Sequence, residues 1–135
     1  MNDYTYPAVK DSIIYATEAV NLWLEKINCP AREQMKIGVA LDEVLSNIIR
    51  YAYPDGNGVF TISLSFDTGR KMVEMTICDC GTAFNPLDRE EPDISLPAEE
   101  RPIGGLGIFL VKKMMDKVTY DRKDGQNMLT LRKKL

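Results

Sequence analysis

The sequence predicts an α+β fold, a sandwich with helices on one face of a mixed or antiparallel sheet, and three observations carry that prediction. Apolar residues recur at intervals of three and four over two N-terminal stretches, and the period then changes to two. After a long acidic, proline-rich stretch, a third helical pattern is followed by two more alternating runs. Runs of strands separated by helices place the helices on one side of a sheet. The 135 residues match about one domain, and a single domain over residues 1–135 is expected.

From Ala8 to Ile27, the apolar residues Ile13, Ala16, Val20, Trp23, Leu24 and Ile27 keep a helical period until Pro30 interrupts it. The chain is therefore expected to start with a helix. A second, longer helix follows from Ile37, Leu41, Val44, Leu45, Ile48 and Ala52, and ends at Pro54-Asp55-Gly56-Asn57-Gly58. Phe60, Ile62, Leu64 and Phe66 then alternate with polar residues, as do Val73, Met75 and Ile77, which gives two half-buried strands around Asp67-Thr68-Gly69-Arg70. Residues Pro86 to Pro102 hold four prolines and six acids and read as a long surface loop. Ile108, Leu110, Val111, Met114 and Met115 form a third helix after a glycine cluster. Val118 to Arg122 and Met128 to Arg132 are strands around Lys123-Asp124-Gly125.

Composition removes several function classes. Seventeen Lys and Arg against twenty Asp and Glu, with no basic block, argue against direct nucleic-acid binding. Neither a leader-like start nor an apolar run long enough to span a membrane is present, so a cytoplasmic protein without membrane contact is expected. Cys29, Cys78 and Cys80 match neither a zinc nor a redox spacing and read as reduced thiols. The chain has no histidine, which excludes Ser-His and Cys-His catalysis, histidine metal sites and phosphorylation on histidine. Chemistry here must use carboxylates, amides, backbone and metal.

Three short motifs remain. Glu43 and Asn47 lie four apart on the second helix, with Arg50 and Tyr51 a turn further on, so a carboxylate base, an amide oxygen and a cation can converge on a bound Mg-nucleotide. The plain alternative is a solvated polar stripe. Asp79-Cys80-Gly81-Thr82-Ala83-Phe84-Asn85-Pro86 leaves a strand. There Asp79 can accept from an exocyclic amine and Gly81 lets the backbone pass close to a flat ring, although the same residues also make an ordinary turn. Gly104-Gly105-Leu106-Gly107 opens a helix, where backbone N–H groups can hold phosphate. It is neither a Walker loop nor a Rossmann fingerprint.

In order and spacing, these motifs resemble the N, G1 and G2 boxes of the GHKL ATPase superfamily, which includes gyrase, MutL and the histidine kinases. Within that superfamily the chain looks most like the bacterial anti-sigma-factor serine/threonine kinases. The resemblance implies a two-layer α/β sandwich of the Bergerat type, with helices on one face of a mixed β-sheet and a mobile ATP lid at about residues 86–103. It implies ATP and Mg²⁺ as cofactors, Asn47 as the Mg²⁺ ligand and Glu43 as the general base. Asp79 would accept the adenine amine, with Gly81 beside the ring and Phe84 a further nucleotide-binding residue. Gly104, Gly105, Leu106 and Gly107 would line the phosphates, with Arg50 and Tyr51 as further phosphate contacts. Many such kinases carry His-Ala-Tyr where this chain has Tyr51-Ala52-Tyr53, and relatives place a Thr near adenine on a late strand, for which Thr130 is the nearest candidate.

The activity implied is a protein-serine/threonine kinase that phosphorylates a STAS-type anti-sigma-factor antagonist and sequesters a sigma factor, in a family whose members often form homodimers. The alternative is a non-catalytic ATP-binding interaction module, which would not require the carboxylate of Glu43.

Overall fold

The computed structural model describes residues 2–88 and 105–135; residues 89–103 of the expected lid, and Gly104, lie outside them. Strands β1 (Asn2–Pro7), β2 (Val59–Asp67), β3 (Met72–Asp79), β4 (Lys117–Lys123) and β5 (Gln126–Lys134) form one sheet in the order β1-β2-β3-β5-β4. Helices α1 (Ser12–Lys26), α2 (Ala31–Asn47) and α3 (Gly105–Met114) bury their apolar stripes against one face of it.

All four strand pairings are antiparallel, so of the two arrangements left open by the sequence the sheet is antiparallel and not mixed. The reason lies in the crossover. Strands β3 and β4, which flank α3, run parallel to each other, but β5 returns through a two-residue turn and takes the slot between them. That turn has positive φ at both Asp124 (53°) and Gly125 (76°), the geometry that matches strand twist in a tight hairpin.

The chain begins with a strand rather than a helix, which corrects the sequence reading. Strand β1 pairs with β2, and only Tyr4 and Tyr6 turn partly inward, with the Tyr6 ring 5.8 Å from Phe60. Two half-buried tyrosines make a weak period, and the strand exists because β2 supplies its hydrogen bonds. Helix α1 accordingly starts at Ser12. Ala8 is buried and donates its N–H to the Gly58 carbonyl at 2.8 Å, continuing the strand contact.

The second helix also departs from its simple period. After Asn47 the chain widens into a π turn (Ile48–Ala52), with the Tyr53 N–H reaching back five residues to Ile48 O at 3.3 Å. Ile48 and Ala52 are still buried, so the apolar stripe survives the widening. Such single π turns tend to occur where a helix serves a site.

Register decides where the core stops and the site starts. One inward row across the sheet is Leu64, Met75, Leu131 and Val118, and the next is Ile62, Ile77, Leu129 and Tyr120. Each fully buried aliphatic side chain in these rows contributes roughly 1.5–3 kcal/mol. The third row is Phe60, Asp79, Asn127 and Arg122, where the inward face turns polar at the end of the sheet nearest the π turn.

Candidate functional site

A narrow pocket, partly open to solvent, lies between α2, the π turn and the ends of β3 and β5. Its apolar walls are Val44, Ile48, Ala52, Ile77, Phe84, Pro86 and Leu129, and its polar groups are Asn47, Asp79, Tyr120 and Asn127. This is the composition of a small-molecule site, mostly apolar with a few placed polar groups.

Asp79 sits at the exit of β3 and is 5% exposed. Its Oδ1 accepts from Gly81 N–H at 2.9 Å and from Asn127 Nδ2 at 2.9 Å, while no described residue donates to Oδ2. A ligand amine can therefore be received at Oδ2. Gly81 is needed for a reason other than ring stacking. A Cβ there would run into the Ala52 carbonyl, with the Ala52 carbon at 2.7 Å, and Thr82 N–H donates to that same carbonyl at 2.8 Å. The loop after β3 is thus pressed against the end of the π turn. Tyr53 locks the junction from below, its hydroxyl donating to Val59 O and accepting from Cys80 N–H, both at 2.8 Å. Burial pushes the Tyr53 phenol above its ordinary pKa, only partly offset by the hydrogen bond from Cys80.

Phe84 lines the pocket and stacks on Tyr51, with centroids 4.8 Å apart at 25°. Arg50 is exposed, its guanidinium carbon 5.6 Å from the Tyr51 ring centroid. Neither Arg50 nor Tyr51 touches the pocket itself; they stand at its rim. Asn47, the last residue of α2, is 8% exposed and lines the wall.

One turn earlier on α2, Glu43 is half-buried and outside the pocket lining, beside the first turn of α3. Its Oε2 occupies the place a side chain at Gly107 would need, with Cδ 3.2 Å from that position. A carboxylate at a helix N-terminus is favoured by the exposed N–H groups and the dipole there. Gly105 and Leu106 are the first two residues of α3, although the Leu106 side chain and Gly104 lie outside the described residues.

Thr130 requires a correction. It lies on the opposite face of the sheet, in a hydroxyl row of Ser63, Thr76, Thr130 and Thr119, and its Oγ1 is 3.3 Å from that of Thr76. The late-strand residue that meets Asp79 is Asn127. A signal was available: Leu129 and Leu131 mark the inward period of β5, and counting back by two makes Asn127 an inward polar residue. Tyr120, its hydroxyl partner on β4, was also missed, because an edge-strand tyrosine carries no such mark.

Residues 6–133 match the model of the histidine kinase-like ATPase domain. The chain belongs to that family. It is 32% identical over 120 residues to the serine/threonine-protein kinase BtrW of Bordetella bronchiseptica, covering 86% of this chain and 83% of that one. The serine-protein kinase RsbW of Staphylococcus aureus is 30% identical over 96 residues, covering 64% of this chain but only 57% of its own length.

Among solved structures, the fold superimposes on the RsbU and RsbW domains of a Mycobacterium tuberculosis protein with a TM-score of 0.66 at 15% identity, over all of this chain and 33% of that one. It also superimposes on the SiaB–SiaC complex of Pseudomonas aeruginosa with a TM-score of 0.61 at 14% identity, over 98% of this chain and 89% of the other. These likenesses confirm the two-layer sandwich. Both curated relatives are named as serine/threonine- or serine-protein kinases. No helix among the described residues is long and apolar enough to cross a membrane.

Proposed function

We propose that the domain is an ATP-dependent protein-serine/threonine kinase that phosphorylates a STAS-type anti-sigma-factor antagonist and sequesters a sigma factor. The observation that carries the catalytic half is the placement of Glu43. Its carboxylate stands against the first turn of α3, one helical turn before Asn47, which lines the pocket that Asp79 closes at its other side.

The residues fit ATP. Asp79 Oδ2 would receive the adenine amine, the apolar walls would enclose the ring, and the phosphates would run toward the N-terminus of α3. They also fit Mg²⁺. Among the described residues no three acidic, cysteine or histidine side chains cluster to hold a metal unaided. Asn47 offers one amide oxygen, which suits a cation that takes one or two protein ligands and completes its shell with substrate phosphates and water.

When bound, Mg²⁺ would offset charge on the phosphate oxygens. Glu43 would accept the proton of the incoming serine or threonine hydroxyl, and N–H groups at the start of α3 would steady the transferring phosphate.

The test is transfer of labelled phosphate from ATP to a purified STAS-type protein, run beside thermal unfolding with and without Mg-ATP. Ligand at about one hundred times its dissociation constant should add roughly 2.7 kcal/mol of stability. Stabilisation without transfer to any such protein would leave a non-catalytic ATP-binding module. No stabilisation by any adenine nucleotide would remove the nucleotide reading. Sigma-factor binding and homodimer formation are checked separately, by co-elution and sedimentation.

A further inference from the structure

Asn127 makes four hydrogen bonds with one amide. Nδ2 donates to Asp79 Oδ1 and to Thr82 O, both at 2.9 Å, while Oδ1 accepts from Phe84 N–H at 3.3 Å and from the Tyr120 hydroxyl. Two of these partners leave no choice of orientation. A backbone N–H can only donate and a backbone carbonyl can only accept, so the amide cannot be flipped. The second Nδ2 proton must then face Asp79.

We infer that Asn127, held by Tyr120, is the positioning residue that makes Asp79 select a purine bearing an amine, and that it ties this selection to the loop that follows β3. The inference rests on the ATP reading above. With Gly81 N–H and Asn127 Nδ2 both on Oδ1, that oxygen is committed, and Oδ2 is presented to the pocket as an acceptor. An amine opposite Oδ2 is satisfied, whereas an oxygen there sets acceptor against acceptor. A site built around a specific hydrogen bond rejects the analogue lacking it far more strongly than an apolar pocket rejects a small change of shape.

The same amide fastens Thr82 and Phe84, and Phe84 stacks on Tyr51 beside Arg50. Asn127 is therefore linked at once to Asp79 and, through Phe84, to the Tyr51 ring at the rim of the pocket. Asn127 is 5% exposed and acts through Asp79 rather than on the nucleotide.

The experiment compares binding of Mg-ATP with Mg-inosine triphosphate, whose base carries an oxygen in place of the amine, by calorimetry on the full chain between pH 6 and 8. The wild type should prefer ATP by about tenfold or more, with a ratio nearly flat in pH. Asn127→Asp sets a second carboxylate against Asp79, and the pair should share a proton that can be offered to the inosine oxygen. Its ATP preference should fall at least about tenfold at pH 6 and recover as pH rises. A merely structural loss would weaken both nucleotides alike.

Tyr120→Phe removes one hydroxyl, leaves the fold intact and should lower the preference several-fold; it decides the matter if Asn127→Asp does not fold. A wild-type-like ratio in whichever variants fold would overturn the role of Asn127 while leaving the ATP reading standing. A wild type that binds neither nucleotide would overturn that reading and this inference with it.

Discussion

The carboxylate of Glu43 on α2 occupies the volume that a side chain would take at Gly107 on α3. Only glycine lets α3 start so close to the proposed base. Glu43 is the tip of a flexible side chain, so Gly107→Ala should displace it rather than break the packing. We expect phosphotransfer to fall by about tenfold or more, the size of a lost alignment, with little change in thermal midpoint. A midpoint lowered in step with activity would show that Gly107 serves the fold instead.

Glu43→Gln keeps the shape and removes the base. ATP affinity should be retained while transfer drops on the order of 100- to 10,000-fold. Asn47→Ala should weaken both binding and transfer, since it removes the proposed cation ligand. Glu43→Gln transferring phosphate as fast as the wild type would reassign the base.

Asp79→Asn has a predictable orientation. Gly81 N–H and Asn127 Nδ2 both need an acceptor, so the amide oxygen should take the place of Oδ1 and the NH₂ the place of Oδ2. Donor would then face donor at the adenine amine, and ATP affinity should fall about tenfold or more, equivalent to at least about 1.4 kcal/mol. Unchanged affinity in calorimetry would take Asp79 out of base recognition.

Gly81→Ala tests the seam between β3 and the π turn. The obstacle is the Ala52 backbone, which cannot swing aside as a side chain can, and overpacking of this kind costs roughly 1–3 kcal/mol. Urea unfolding should show that loss even without nucleotide. An unperturbed midpoint would mean that the seam yields freely.

Alkaline pH should weaken the fold. Burial raises the pKa of the Cys29 and Cys78 thiols above their ordinary 9.0 and of the Tyr6 and Tyr53 phenols above 10.0. Because the folded values lie above the unfolded ones, the stability these groups support is complete below pH 9 and lost as pH rises through the ordinary values toward the raised ones. Unfolding midpoints should therefore decline between about pH 9 and 11, and Tyr53→Phe should flatten the part of that decline above pH 10. Stability that rises over this range would contradict the assignment.

The sequence alone determined what local periodicity and chemistry can fix. Three apolar stripes at helical spacing, four alternating strands and the Asp124-Gly125 turn were legible because each depends on neighbours within a few residues. Glu43 with Asn47, Asp79 with Gly81, and the glycines opening α3 stood out by residue type and spacing, and the fold brings Asn47 and Asp79 to one pocket while Glu43 stands beside Gly107. Strand β1 was not legible, because its two half-buried tyrosines become a strand only when β2 lies alongside. The π turn was hidden because its apolar stripe reads like ordinary helix, and its end meets the loop at Gly81, a contact between residues far apart in sequence. Tertiary structure alone decided that Asn127, 48 residues beyond Asp79, would be its partner. That choice is made by strand register, in which each residue shifts a side chain to the other face of the sheet; the pairing of β3 with β5 is a long-range contact that no local window contains.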